Sequence, residues 1–343
     1  MTSYSAKAKK QPYIGGIFAS GDDEDFTSNS NDISKIFPDM IGDKRRILFE
    51  TASDGIAHEI RHFLKSHDSI VFYIPENFCA STVNRILLKC QSESIKVEKY
   101  TNLKIALSAS HAKVVLALHF NCYHNELSEI IGNSLKAPDT LIIEDFVQAP
   151  FDIHKAVAHF AVNSLRKVST IEASVCYSSW QAGHYKQNSN YLALKHNAMQ
   201  LREEFISNGN KEAETAQLEK LQLAEQASND SEIYLATNNV IKNFENLDFQ
   251  RIRDCRTGNL QTLRKLLDKI DARFILSDYF FLMLHLQNRN EARKELAANG
   301  IFAPIHWADS LSKESETLIS LPVDQRYNEQ DMNKIANVIL QQF

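Results

Sequence analysis

Apolar positions change period several times along the chain. Between Arg46 and Tyr177, short runs rich in β-branched and aromatic residues alternate with stretches whose apolar residues recur at helical spacing. Ser69 to Ile74, Lys113 to His119, Thr140 to Ile143 and Phe160 to Val162 read as strands. Ile56, Ile60, Phe63 and Leu64 share one helix face, and Val83, Ile86, Leu87 and Cys90 share another, so each helix offers a single stripe to a sheet. Strands that alternate with amphipathic helices predict an α/β architecture with a mostly parallel, helix-flanked sheet.

Beyond Tyr177 the pattern lengthens into charged helical stretches, Asn190 to Ile206 and Lys211 to Gln226, followed by a helix from Asp248 to Leu267. The last third changes again. Tyr279 to Leu286 reads as a strand, Arg289 to Asn299 as a helix closed by an Asn-Gly stop, and Glu329 to Gln342 as a closing amphipathic helix. These shifts divide the chain into an N-terminal arm and loop (1–44), a large domain (45–177), a helical connection (178–247) and a smaller C-terminal α+β domain (248–343). Residues 20–32 are acidic and polar, with too little apolar surface to bury, and read as a loop or mobile arm. No internal repeat points to a solenoid.

With 343 residues, 43% of them hydrophobic and 24% charged, the chain is globular and long enough for two domains. Lys and Arg total 38 against 43 for Asp and Glu, a net charge of -5, so no basic field favours nucleic acid or an anionic membrane. No apolar run approaches the about 20 residues of a membrane span, and no apolar core follows the basic residues of Met1 to Gln11. A cytoplasmic protein is expected. The five cysteines (Cys79, Cys90, Cys122, Cys176, Cys255) are scattered, with no Cys-x-x-Cys pair, and most read as reduced core thiols rather than a disulfide framework or thiolate zinc site.

One motif invites a metal. His58-Glu59-Ile60-Arg61-His62 matches the H-E-x-x-H pattern that holds zinc on a helix. At about 100° per residue, however, the two histidines fall opposite Ile56, Ile60 and Phe63. No third ligand motif follows, so the pair is expected to lie on a solvated helix face without metal.

The chemistry concentrates elsewhere. Leu141 to Ala149 is an apolar strand that ends in Glu144 and Asp145, at the carboxyl edge where parallel sheets build ligand sites. The strand from His159 to Val162 runs into Asn163-Ser164-Leu165-Arg166-Lys167, so a hydroxyl, a guanidinium and an amine emerge nearby. Carboxylate and lysine can then converge on one bound cofactor.

Ile143-Glu-Asp-x-x-Gln-Ala149, Ser164-Leu-Arg-Lys167, Val115 to Phe120 (VLALHF) and Ile74-Pro-x-x-Phe-Cys-Ala-Ser81 occur in the order found in the DegT/DnrJ/StrS sugar aminotransferases. Pro304-Ile-His-Trp307 and Leu321 to Tyr327 (LPVDQRY) continue that order to the C-terminus. The chain therefore resembles this family, which consists of fold type I enzymes dependent on pyridoxal 5'-phosphate. By that resemblance Lys167 holds the cofactor as a Schiff base, Asp145 pairs with the pyridine nitrogen, and Gln148 lies near the ring oxygen. Thr51 to Gly55, with Ser53 and Asp54, corresponds to the phosphate turn, and Ser164 adds a further hydrogen bond. Either Phe78 or Cys79 lies against the ring face.

The implied activity is transfer of an amino group, from glutamate, to a nucleotide-linked keto sugar in surface polysaccharide or amino-sugar synthesis. His306, Trp307 and Arg326 are placed near the entrance for substrate, although Arg326 reads equally as a structural ion pair and Trp307 as core. A homodimer is implied too, with residues 183–190 reaching the partner's site. The chain departs from the family pattern at Glu172-Ala173-Ser174, where two glycines usually follow the acid, at Asn121, where glycine is common, and at Val162, where a phosphate-contacting serine is usual. Two alternatives remain: the same cofactor with a non-sugar ketone or amine, and a non-catalytic homologue that binds a partner.

Overall fold

The computed structural model describes residues 13–28, 32–76, 78–119, 124–187, 189–268, 270, 274–276, 281–305 and 316–341. The chain enters through a short strand, β1 (Ile14–Gly15), and then forms one edge of a large sheet with β2 (Met40–Ile41) and β3 (Lys44–Phe49). Helix and strand alternate from there. α1 (Ala52–Phe63), β4 (Ile70–Pro75), α2 (Ala80–Cys90) and β5 (Ile95–Tyr100) come first. α3 (Leu103–Ser108), β6 (Lys113–Leu118), α4 (His124–Gly132) and β7 (Thr140–Asp145) follow. With β8 (Phe160–Val162) and β9 (Ser174–Ser178) the sheet has eight strands in the order β2-β3-β9-β8-β7-β6-β4-β5.

β5, β4, β6, β7 and β8 pair in parallel, whereas β9 runs antiparallel to both β8 and β3. This is the mostly parallel sheet that the alternation of periods predicts. Strand β5 escaped that reading because its charged residues Lys96, Glu98 and Lys99 interrupt the apolar signal. It is the edge strand, where charge discourages pairing with another chain. β3 and β9 were likewise not marked beforehand.

Side-chain alternation sorts the central strands onto two cores. Val114 and Leu116 of β6 pack with Ile56 and Ile60 of α1 and Ile86 of α2. Val115 and Ala117 pack on the other face with Leu107 and Ile131. α1 lies so close to β9 that a Cβ at Gly55 would stand 2.5 Å from the Cys176 Sγ, a distance that only glycine permits.

Two long helices, α5 (Asn190–Asn208) and α6 (Lys211–Ala227), form a hairpin turned at Gly209, whose φ of 66° suits glycine. α7 (Asn238–Asn246) and the start of α8 (Phe249–Leu266) then return to the large sheet, where Phe244 and Phe249 pack on Phe37 in one core with Phe151 and Tyr177. The rest of α8 leads into a smaller unit: β10 (Phe274–Leu276), β11 (Phe281–His285), α9 (Arg289–Ala298), β12 (Ile301–Phe302), β13 (Leu318–Pro322) and α10 (Glu329–Leu340).

β10, β11 and β13 form an antiparallel sheet, and Leu282, Leu284, Ile319 and Leu321 pack against Leu260, Leu296, Ile335 and Ile339 of the helices. β1 pairs in parallel with β12, so the N-terminal segment belongs to this unit's edge. Among the described residues no helix is long and apolar enough to cross a membrane.

The H-E-x-x-H helix differs from its expected solvation. His58 and Glu59 are buried against the sheet and the loop after β9: His58 packs on Phe49 of β3 and on Tyr185, and Glu59 is hydrogen-bonded by Ser178 at the end of β9. The Tyr185 hydroxyl and His58 Nδ1 are hydrogen-bonded at 2.8 Å, and Trp180 stacks on His62 with ring centroids 5.1 Å apart. Burial pushes Glu59 up to about 8 and His58 down to about 4.

The folded value of Glu59 lies above its unfolded value, so its neutral form stabilises the protein at acid pH. That contribution fades as pH rises through about 8. Glu59→Gln is therefore expected to lose less Tm than the parent protein between about pH 6 and pH 9. Parallel Tm slopes from calorimetry would refute this role.

Candidate active site

Strand order builds the site. Asp145, the last residue of β7, stands in register with Leu118 of β6 and Val162 of β8, at the carboxyl edge of the parallel strands. Pleating sends Glu144 to the opposite face, where it bonds His119 Nε2 at 2.7 Å and accepts the N–H groups of Val157 and Ala158. Of the two adjacent carboxylates, Glu144 is thereby committed to structure. Asp145 keeps one described hydrogen bond, from Val147 N–H to Oδ1 at 2.8 Å.

Lys167 arrives by a short path. After β8, Asn163 locks the chain in place by accepting Val175 N–H at 2.9 Å and donating to the Pro150 carbonyl at 3.1 Å. Ser164 then precedes a single tight turn, Leu165–Lys167, that carries the amine. Burial first, and then the charges of Arg166 and Lys195, push the Lys167 amine down to about 8, while Cys79 and Glu172 act in the other direction. Burial raises Asp145 to about 7 against the opposing pull of Val147 N–H and the Lys167 charge. Lysine and carboxylate thus share one electrostatic environment.

Other predicted residues are placed as follows. Gln148 has a buried Oε1 with no hydrogen-bond partner among the described residues, so this acceptor faces a missing donor. Cys79 caps α2, and its thiol contacts Ser81 Oγ at 3.0 Å. Although partial burial opposes it, donors from Ser81 and Thr82 hold the thiol below the ordinary range. Phe78 packs with the core beneath α1 and α2, so of this pair it is Cys79 whose charge reaches Lys167.

At the start of α1, Thr51 and Asp54 form a reciprocal capping box: Thr51 N–H donates to Asp54 Oδ2 at 3.0 Å, and Asp54 N–H to Thr51 Oγ1 at 3.3 Å. Asp54 also bonds Lys89 Nζ at 3.0 Å and Tyr234 N–H at 3.1 Å. Its carboxylate is occupied by cap and ion pair. Ser53 lies buried at the second position of the helix.

A cavity of about 1070 Å³ opens beside Lys167, between the lysine turn, the N-terminal residues Gly16 and Phe18, and α9. Lys167 lines it, whereas Asp145 is not one of its lining residues. Arg326 lines it as well, but its Nε and Nη2 donate to Asp324 at 2.8 and 2.9 Å, its other donors reach Asp22 and the carbonyls of Gly16 and Ile17, and its guanidinium lies over the Phe18 ring, 4.3 Å from the centroid. His306 and Trp307 lie outside the described residues.

Sequence reasoning missed a polar network in the cavity wall. Arg166 Nη1 donates to the Tyr191 hydroxyl at 3.1 Å, that hydroxyl donates to Glu172 Oε2 at 2.9 Å, and Lys195 Nζ lies 3.7 Å from Glu172 Oε1. The spacing of Tyr191 and Lys195 on α5, one turn apart, was the available signal.

No protein-family model matches the sequence, and no curated protein does. Solved structures do match. A sugar aminotransferase from Micromonospora echinospora shares 12% identity over 90% of this chain and 89% of its own, with a TM-score of 0.55. A candidate sugar aminotransferase from Streptococcus pneumoniae, in its apo form, shares 9% identity over 96% and 92%, with a TM-score of 0.59. A DegT/DnrJ/EryC1/StrS aminotransferase from Brucella abortus shares 14% over 96% and 91%, with a TM-score of 0.53. The chain has the fold of fold type I aminotransferases, as the resemblance implied.

Proposed function

We propose that the protein is a pyridoxal-phosphate-dependent aminotransferase that uses Lys167 and Asp145. The observation that carries this reading is the pairing of a buried strand-end carboxylate with a lysine amine pushed down to about 8, at the carboxyl edge of a sheet shared with aminotransferases. The residues fit the cofactor. Lys167 would bind its aldehyde carbon, Asp145 would hold the proton on its ring nitrogen, and Gln148, with its partnerless Oε1, would meet its ring hydroxyl. Ser53 and Ser164 would serve its phosphate, with backbone donors at the start of α1.

When bound, pyridoxal phosphate supplies an electron-poor ring that takes up the electron pair left as a substrate carbon loses its proton. Asp145 keeps its negative charge only if a positive group offsets the burial that raises it to about 7, and a protonated ring nitrogen is such a group. Lys167, with a value near 8, has a substantial neutral fraction at physiological pH. Its Nζ can therefore accept the proton from the substrate carbon and return it. Cys79, at the start of α2, acts on the Lys167 amine through its charge.

The amino donor is glutamate and the acceptor a nucleotide-linked keto sugar, for amino-sugar or surface polysaccharide synthesis. In support, exposed Arg293 and Lys294 of α9 line the cavity, where a diphosphate would meet cations. The enzyme works as a homodimer, with residues from the 183–190 segment contributing to the partner's site.

The half-reactions test this. Glutamate is expected to convert loaded enzyme to its amine form, and a nucleotide-linked keto sugar, not a simple keto acid alone, to restore the original spectrum. Restoration by an unrelated ketone without any nucleotide sugar would move the assignment to a different acceptor. Failure of both halves across a broad panel would indicate the binding-only homologue.

A further inference from the structure

The backbone that carries Lys167 is held by buried groups to which none of the roles above assigns a task. Arg256 of α8, 1% exposed, donates from Nε to Gln325 Oε1 at 2.8 Å and from Nη2 to the Lys167 carbonyl at 3.3 Å. Gln325 donates from Nε2 to the Val168 carbonyl at 2.7 Å and to Asp23 Oδ1 at 3.3 Å. Asp23 Oδ2 accepts the Thr170 N–H. Three backbone groups at and after the lysine are thus gripped by side chains from α8, the segment after β13, and the N-terminal segment. Asn259, one turn along α8 from Arg256, donates to the carbonyls of Asp324 and Tyr327, each at 3.0 Å, and so fixes the segment that carries Gln325.

A charge in such a place is costly. Burial pulls Arg256 down to about 10, against the favourable field of Asp324. Apolar side chains of similar volume commonly fill such interiors at no loss of stability, so a buried guanidinium that gives one donor to the Lys167 carbonyl and another to Gln325, which itself holds the Val168 carbonyl, points to geometry rather than to cohesion. The root of a long side chain decides where its tip can go, and displacement of a reacting group by 1 Å is enough to slow a reaction about a hundredfold.

We propose that Arg256, acting through Gln325, is a positioning residue that fixes the Lys167 turn and keeps the amine in its place near Asp145, Cys79, Arg166, Glu172 and Lys195. The proposal rests on the reading of Lys167 as the cofactor lysine. The same grip ties the smaller unit to the lysine turn, so a shift of α8 against the sheet would be felt at the amine.

The test uses full-length, cofactor-free protein, labelled with acetic anhydride across a pH series and mapped for the Lys167 peptide. In the parent protein the amine is expected to titrate near 8. In Arg256→Met and in Gln325→Leu the turn loosens, water reaches the amine, and its titration moves up by about one unit while surface lysines stay unchanged. In loaded enzyme the same variants should lower kcat by about 10- to 100-fold with little change in KM, and Arg256→Lys should recover part of both effects.

An unchanged Lys167 titration with unchanged kcat, even with a lower Tm, would overturn the proposal and leave Arg256 a purely structural residue. If Arg256→Met does not fold, Gln325→Leu, which leaves the guanidinium in place, decides the matter. A parent protein that takes up no cofactor would refute the functional reading, and the labelling titration would still read the position of the amine.

Discussion

Lys167→Ala is expected to lower amino transfer by about four orders of magnitude, the upper range for a positioned acid–base group, and to abolish covalent retention of the cofactor. The turn Leu165–Lys167 is anchored by Leu165 N–H to the Ala173 carbonyl at 2.9 Å and by Asn163, and none of these contacts involves the lysine side chain. Fold and Tm should therefore be kept. Single-turnover kinetics, with cofactor content measured separately, distinguishes this from a simple binding defect. Activity within tenfold of the parent would remove Lys167 from the mechanism.

Asp145→Asn carries the second large effect. Cofactor should still bind, but transfer should slow by about a thousandfold, or ~4 kcal/mol in the transition state, because the amide cannot hold a proton on the ring nitrogen by charge. The cofactor-free protein should respond in the opposite direction. There the carboxyl is raised to about 7 by burial, so its stabilising neutral form is lost as pH rises through that value. Above about pH 7 the asparagine variant is then expected to have the higher Tm before cofactor is added, and the lower one after. Near-normal turnover, or a lower Tm in the cofactor-free state, would contradict the role given to Asp145.

Much of this site was legible because its parts lie where the chain has strong periodicity. β7 is buried along its whole length, so it reads as a continuous apolar run that stops at Glu144 and Asp145. Ile56, Ile60 and Phe63 mark α1 because that face meets the sheet. The order of the two strand ends then brought Asp145 and Lys167 together.

What escaped was polar and buried. The H-E-x-x-H flank of α1 looked solvated because its cover, the loop with Trp180 and Tyr185, comes from far along the chain and carries no period of its own. α5 turns Lys195 and Arg202 inward beside Leu192 and Met199, so apolar periodicity could not mark its buried face. Arg256 and Gln325 bond to backbone atoms of remote segments, which leave no trace in side-chain identity. The segment Thr51 to Gly55 shows the converse: by the family resemblance Asp54 is expected at a phosphate site, while its carboxylate is bonded to Thr51, Lys89 and Tyr234.

The central claim, that this chain binds pyridoxal phosphate through Lys167, is tested most directly by borohydride reduction of the loaded protein followed by peptide mapping. The account predicts a visible absorption band that reduction abolishes, with the reduced cofactor on the peptide that contains Lys167. Cofactor on another lysine, or a protein that takes up none under any condition, would contradict it.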